Sequence, residues 1–238
     1  MTALPQEFLR WNYLPRVKMF KDIYSQIPMQ DMNRFFLESV RHNPALCTAH
    51  QTNKESICIN AKIVGVGYVV KEKHLEKAVE AFSDHVRNGD KLFENVKTQT
   101  ENENAANEYQ KRAASLFLEY LYFEDLEKAQ DHVDFSKMAT IELALSKEDS
   151  SKHTWKIVQQ NLNACLLFYQ PPSISFEVRG KIEIHERNLY HKFVNLIHDS
   201  FHYVPVERRE TRRPVYVFNV EEVFNNSATS EGFGRRIA

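Results

Sequence analysis

From Ile174 to Ile184 the chain alternates without a break. Ile174, Phe176, Val178, Gly180, Ile182 and Ile184 share one face; Ser175, Glu177, Arg179, Lys181 and Glu183 share the other. Period two over this length specifies a β-strand with one buried and one wet side. Gly180 falls mid-strand on the apolar side, where a barrel strand bends or another backbone comes close. Ala164 to Tyr169, just upstream, is a short apolar run stopped by Pro171 and Pro172, which reads as a second strand. Lys152 to Asn161 has helical spacing, with Trp155 and Val158 on one side. The order is helix, strand, loop, long strand.

The rest of the chain mixes the two periods. Met1 to Lys21 is apolar and aromatic and packs on the domain, with Pro5, Pro15 and Pro28 limiting helix length. Met29 to His42 reads as a helix burying Met32, Phe35, Phe36, Ser39 and Val40. Ala45 to Ala49 and Ser56 to Val70 read as strands, the latter with Ile57, Ile59, Ala61, Ile63, Gly65 and Gly67 on one face. Gly65-Val66-Gly67 reads as a bulge, since a phosphate loop needs more glycine. Thr98 to Asn107 is polar and acidic, an exposed link, and Glu108 to Gln130 reads as one long helix. Met138 to Leu145 and Val215 to Phe224 alternate again, and the Asn225 to Ala238 tail is expected to be partly mobile. Only six glycines argue against an all-β chain. The class is α+β.

An internal comparison suggests duplication. Val40 to Cys47 aligns with Val158 to Cys165, and Ile57 to Val66 with Phe176 to His185. Helical segments follow each, at Leu75–Val86 and Leu189–Ser200. The expected organisation is 1–97 as an N-terminal degenerate half, 98–133 as linker and long helix, and 134–238 as the half holding the site.

Several function classes drop out. A net charge of −1 gives no global attraction to nucleic acid. No apolar run approaches the roughly 20 residues of a membrane span, so no membrane partner is expected. Cys47, Cys58 and Cys165 have no metal spacing and suit reduced, buried thiols in a cytoplasmic setting. His198 and His202 are four apart without an H-E-x-x-H motif, so they read as exposed or interface histidines rather than zinc ligands.

Ser151-Lys152, Gln160-Asn161, Ala164–Phe168 and Val178–Ile184, in this order, resemble the FMN-binding split β-barrel family, the pyridoxamine 5′-phosphate oxidase-like proteins. The match runs over roughly residues 138–224. The resemblance implies an antiparallel split β-barrel with packed helices, a bound FMN, an oxidoreductase acting on a small molecule, and a homodimer. A flavin phosphate would lie at the start of the helix near Ser151, Lys152, His153 and Thr154, where free N–H groups, hydroxyls and a cation converge. Trp155 could stack on the ring, and Arg213, from the cluster Arg208, Arg209, Arg212 and Arg213, could reach the same anion. The aromatic stripe from Tyr109 to Phe123 is the expected dimer face. No residue marks itself as a catalytic acid or base. The family's opening hairpin is missing before Met138, and Gln30-Asp31-Met32-Asn33 lacks the Ser-x-Lys turn. These departures keep open a cofactor-free split-barrel-like binding or interaction protein.

Overall fold

A computed structural model describes residues 2–27, 32–53, 56–94, 96–142, 152–209 and 213–238. Ser151 and Arg212 lie outside the described residues, as does most of the Ser146–Ser151 loop's surroundings, 143–150. The helices are α1 (Gln6–Tyr24), α2 (Met32–Ser39, continued by a 3-10 turn Val40–His42), α3 (Glu72–Glu94), α4 (Gln99–Tyr120), α5 (Leu126–His132), α6 (His153–Val158), α7 (Leu189–Phe201) and α8 (Val206–Arg209). The strands are β1 (Ala45–Gln51), β2 (Ile57–Ile63), β3 (Gly67–Val70), β4 (Val133–Ile141), β5 (Asn163–Gln170), β6 (Ile174–His185), β7 (Val215–Asn225) and β8 (Arg235–Arg236).

One antiparallel sheet runs β2-β1-β5-β6-β7-β4-β3, with β8 against β7. The fold is α+β, as the periods require. The long alternating strand is β6, and its apolar face points inward with Val178 and Ile182 buried. The sheet curls: Leu46 of β1 and Met138 of β4, far apart in strand order, line one small void with Leu166, Ile182 and Phe218. Lys62 of β2 also reaches Glu142, just past β4. No ladder joins β2 to β3 among the described residues, so the barrel stays split along that seam. The tail, expected to be partly mobile, is tied down: Ala238 accepts a backbone bond from Val223.

Helices α1, α3, α4 and α7 cover the barrel through aromatic contacts. Phe8 of α1 meets Phe168 and Phe176 edge-on at 5.1 and 5.4 Å. Phe20 stacks on Phe117 and Tyr122 at 4.4 and 4.8 Å. The stripe from Tyr109 to Phe123 is therefore internal. Tyr109, Phe117, Leu121 and Phe123 are all buried within the chain, so this face is not available to a partner.

Four local readings are corrected by tertiary contacts. Pro15 sits inside α1 rather than ending it. It removes a donor to the Trp11 carbonyl, and Arg41 Nη1 supplies one instead at 3.0 Å. The polar stretch after Thr98 is the start of α4, fixed by a capping box in which Thr98 and Glu101 satisfy each other's backbone N–H groups. The long helix expected to Gln130 ends at Tyr120, because Phe123 N–H turns to the Tyr13 hydroxyl and Asp125 caps α5. Phe36, expected to be buried, is exposed.

The largest departure is at 56–70. The expected single strand breaks into β2 and β3 where Val64 and Val66 donate to the carbonyls of Pro44 and His42. β2 also lies with its faces reversed. Ile57, Ile59 and Ile63 point outward, 68%, 76% and 70% exposed, while Asn60 and Lys62 point in. The inner residues find partners: Asn60 donates to Thr154, and Lys62 bonds both Glu142 oxygens at 2.8 Å.

β1 and β5 are neighbours, with Cys47 directly opposite Cys165. These are the residues the internal alignment equates. The order β2-β1-β5-β6 is symmetric about that pair, but β2 ends the sheet whereas β6 continues to β7. The thiols are half-buried rather than buried. Burial, with Glu177 nearby, pushes Cys165 up to about 12.

At Gly180 the ladder to β7 shifts register, and an added Cβ would stand 1.9 Å from the Asn219 carbonyl oxygen. Gly180→Ala should therefore force backbone apart and destabilise the fold by about 1–3 kcal/mol or more. Denaturant unfolding measures this; a variant as stable as wild type would contradict the close approach.

Candidate functional site

Two polar regions meet at the end of β4. The first surrounds Glu142, whose side chain is almost fully buried. Its carboxylate accepts from Lys62 and from the Tyr216 hydroxyl at 3.0 Å, and Lys152 Nζ lies 3.7 Å away. Burial and Glu142 together push the Tyr216 phenol far above its ordinary range, so it stays a donor. Trp155 stacks parallel to the Tyr216 ring at 6.4 Å, and Thr154 is buried with its hydroxyl accepting from Asn60. His153 is exposed. Of the residues the sequence singles out, Lys152 lies by Glu142, Thr154 against Asn60 and Trp155 against Tyr216; sequence reasoning missed Glu142.

Arg213 is placed elsewhere. Its guanidinium forms a two-pronged pair with Asp199 of α7 at 2.7 and 2.9 Å, both groups buried. Burial raises the Asp199 carboxyl, but Arg213 and His198 outweigh it and hold it below the ordinary range. Arg209 pairs with Asp90 of α3. These arginines fasten α7 and α8 to their neighbours.

The second region is a cavity of about 460 Å³ over the split. Its walls come from α1 (Arg16, Phe20), the β2–β3 connection (Gly65, Val66), the end of α4 (Phe117), β4 (Ala139 to Ile141) and α7 (Ile197, His198, Phe201), with His42 and His202 at its polar parts. Asp and Glu are absent from its described lining. Arg16 Nη1 donates to the Val66 carbonyl at 2.9 Å, while Val66 N–H donates to the His42 carbonyl, also at 2.9 Å. Arg16 Nε and His42 Nδ1 are buried without a partner among the described residues. Burial, then Arg16 and Arg41, hold the His42 imidazole well below its ordinary value. Burial, then His198 and Arg16, lower His202 as well.

Sequence reasoning left this cavity unseen. His198 and His202 line it rather than facing a partner, and Gly65-Val66-Gly67 is its rim rather than a bulge in a strand. The i, i+4 histidine spacing was the one available signal. Among the described residues no cluster of His, Cys, Asp or Glu could hold a metal, and no helix is long and apolar enough to cross a membrane.

No protein-family model matches the sequence, and no curated protein matches it. Solved structures do. A putative pyridoxamine 5′-phosphate oxidase from Listeria innocua is 10% identical, covering 82% of this chain and 98% of its own, with a TM-score of 0.38. HupZ of Group A Streptococcus is 9% identical over 88% and 100%, with a TM-score of 0.39. An F420 reductase is 11% identical over 83% and 98%, at 0.35. At these identities and scores the likeness says nothing about ligand or activity.

The lowered imidazoles set a pH dependence. Unfolded histidine protonates near its ordinary value of 6.5, whereas folded His42 and His202 stay neutral to lower pH. Below 6.5 the unfolded chain therefore binds more protons, and stability should fall as pH drops from about 7 towards 5. Denaturant midpoints across this range should show the fall, and His42→Gln should flatten it. An unchanged slope in His42→Gln would remove His42 as a contributor.

Proposed function

We propose that this chain is a flavin-binding protein acting on a small molecule held in the cavity at the barrel split. The carrying observation is the cavity itself. Its volume falls within the roughly 300–1,000 Å³ of small-molecule sites, its walls are mainly apolar and aromatic, and a few polar groups sit together. FMN enters through the sequence resemblance. The residues near α6 fit its phosphate in kind: the Lys152 ammonium group and the exposed His153. Thr154 is less suited, because its buried hydroxyl already serves Asn60. Flavin, when bound, supplies the hydride or electron transfer. The protein's part is to hold it at the end of β4, to exclude water with Phe20, Phe117 and Phe201, and to place the small molecule beside it. Ile141 lines the cavity and Glu142 follows it in the chain, so the two regions share one backbone segment.

FMN fluorescence should be quenched by wild-type protein at tens of micromolar or below. A charged hydrogen bond contributes roughly 1.5–3 kcal/mol. Lys152→Ala should therefore weaken FMN by about tenfold to a hundredfold and riboflavin far less. Absence of quenching would end the flavin reading. Quenching that Lys152→Ala leaves intact would move the phosphate elsewhere.

A second reading, an interaction protein assembled as a homodimer, is favoured by the outer face of β2, β1 and β5. Ile57, Ile59, Ile63, Leu167 and Tyr169 are exposed there side by side. An apolar patch of this kind marks an interface more often than a bare surface. Sedimentation velocity at micromolar concentration should give a dimer, and Ile59→Glu a monomer; a wild-type monomer would dismiss the assembly.

A further inference from the structure

We infer that the cavity at the split is built for an organic acid: an apolar or aromatic body carrying one negative charge, with its acid group at Arg16 and His42. The inference rests on the small-molecule reading of the cavity and is independent of whether flavin binds near Lys152.

The first support is the sign of the lining. Arg16 and three histidines line the cavity, and its described lining holds no carboxylate; Asp199, behind His198, is shared with Arg213. The second is a pair of orphaned nitrogens. Arg16 commits Nη1 to Val66 and leaves buried Nε without a partner, while Nδ1 of His42 is likewise buried and unpaired among the described residues. Both residues bond to opposite ends of the same Val66 peptide-linked unit, which holds α1 and the 3-10 turn together at this point. Arg16 Nε is a buried donor without an acceptor, and a carboxylate supplies two acceptor oxygens suited to the guanidinium fork. The third is the charge count. Arg16, whose guanidinium stays charged at any working pH, is the permanent cation of the described lining. One negative charge neutralises it. A phosphate monoester brings nearly two and would leave charge unbalanced in an apolar enclosure. Phe20, Phe117 and Phe201 provide the apolar remainder.

Two fluorescent probes of similar ring structure test this: 8-anilinonaphthalene-1-sulfonate, a monoanion, and N-phenyl-1-naphthylamine, which is neutral. Titrated into the native full chain without flavin, the anion should bind at least about tenfold tighter, the effect of one charged hydrogen bond. Arg16→Gln should erase that preference, Arg16→Lys should keep part of it, and Ile197→Trp, which narrows the cavity, should weaken binding of both. 1-Naphthoate should displace the anionic probe better than 1-naphthyl phosphate. Thermal melts establish that each variant is folded; if Arg16→Gln is not, Arg16→Lys and the displacement pair decide. No binding of either probe, or binding that Ile197→Trp leaves unchanged, overturns the small-molecule reading of the cavity and this inference with it. Equal binding of the two probes, or better displacement by the phosphate, overturns the charge assignment while the cavity stands.

Discussion

The carboxylate of Glu142 joins the two ends of the sheet. It stands just past β4, accepts from Lys62 of β2 and Tyr216 of β7, and has Lys152 close by. An ion pair this deep is not a strong net stabiliser, because desolvation offsets most of the attraction. Its effect is on geometry. Removing Lys62 would leave the buried carboxylate to Tyr216 and the more distant Lys152, so strand arrangements that separate Lys62 from Glu142 are disfavoured. Curling the sheet until β2 faces the end of β4 is the arrangement that keeps all the partners.

The reversal of β2 follows from the same pairing. A strand's faces exchange when its register slips by one residue. Burial of Ile57, Ile59 and Ile63 would place Lys62 and Asn60 in water, away from Glu142 and Thr154. The observed register satisfies the buried polar groups and leaves the isoleucines outside. The same choice opens the seam between β2 and β3, and the cavity lies over that seam with the connecting Gly65 and Val66 at its rim.

Helical packing completes the site. α1 supplies Arg16 and Phe20 to the cavity from one side while Phe8 meets the barrel from the same helix. It runs unbroken through Pro15, and Arg41, within the 3-10 turn, donates to the carbonyl that the proline leaves without a helical N–H. α7 brings Ile197, His198 and Phe201 to the opposite wall and is held by Asp199 on Arg213. The arginine that a sequence reading sends to a phosphate thus serves to anchor the wall of a different site.

Local pattern determined a good part of this protein. The alternation of Ile174–Ile184 and Val215–Phe224, the Pro171-Pro172 break and the spacing of α3 and α7 are legible because period and punctuation are properties of neighbouring residues. Gly180 was legible for the same reason, a missing side chain on an apolar face. Lys152, Thr154 and Trp155 were visible as a polar cluster at a helix start, but their neighbours Glu142, Asn60 and Tyr216 were not. The tertiary structure alone decided which face of β2 is buried, where Arg213 points, and that the stripe from Tyr109 to Phe123 is core. It also brought Arg16, His42 and His202 to one cavity. These outcomes depend on pairing energies between groups such as Lys62 and Glu142, 80 positions apart. Periodicity assigns a face to each residue but carries no information about which distant charge will be waiting on it.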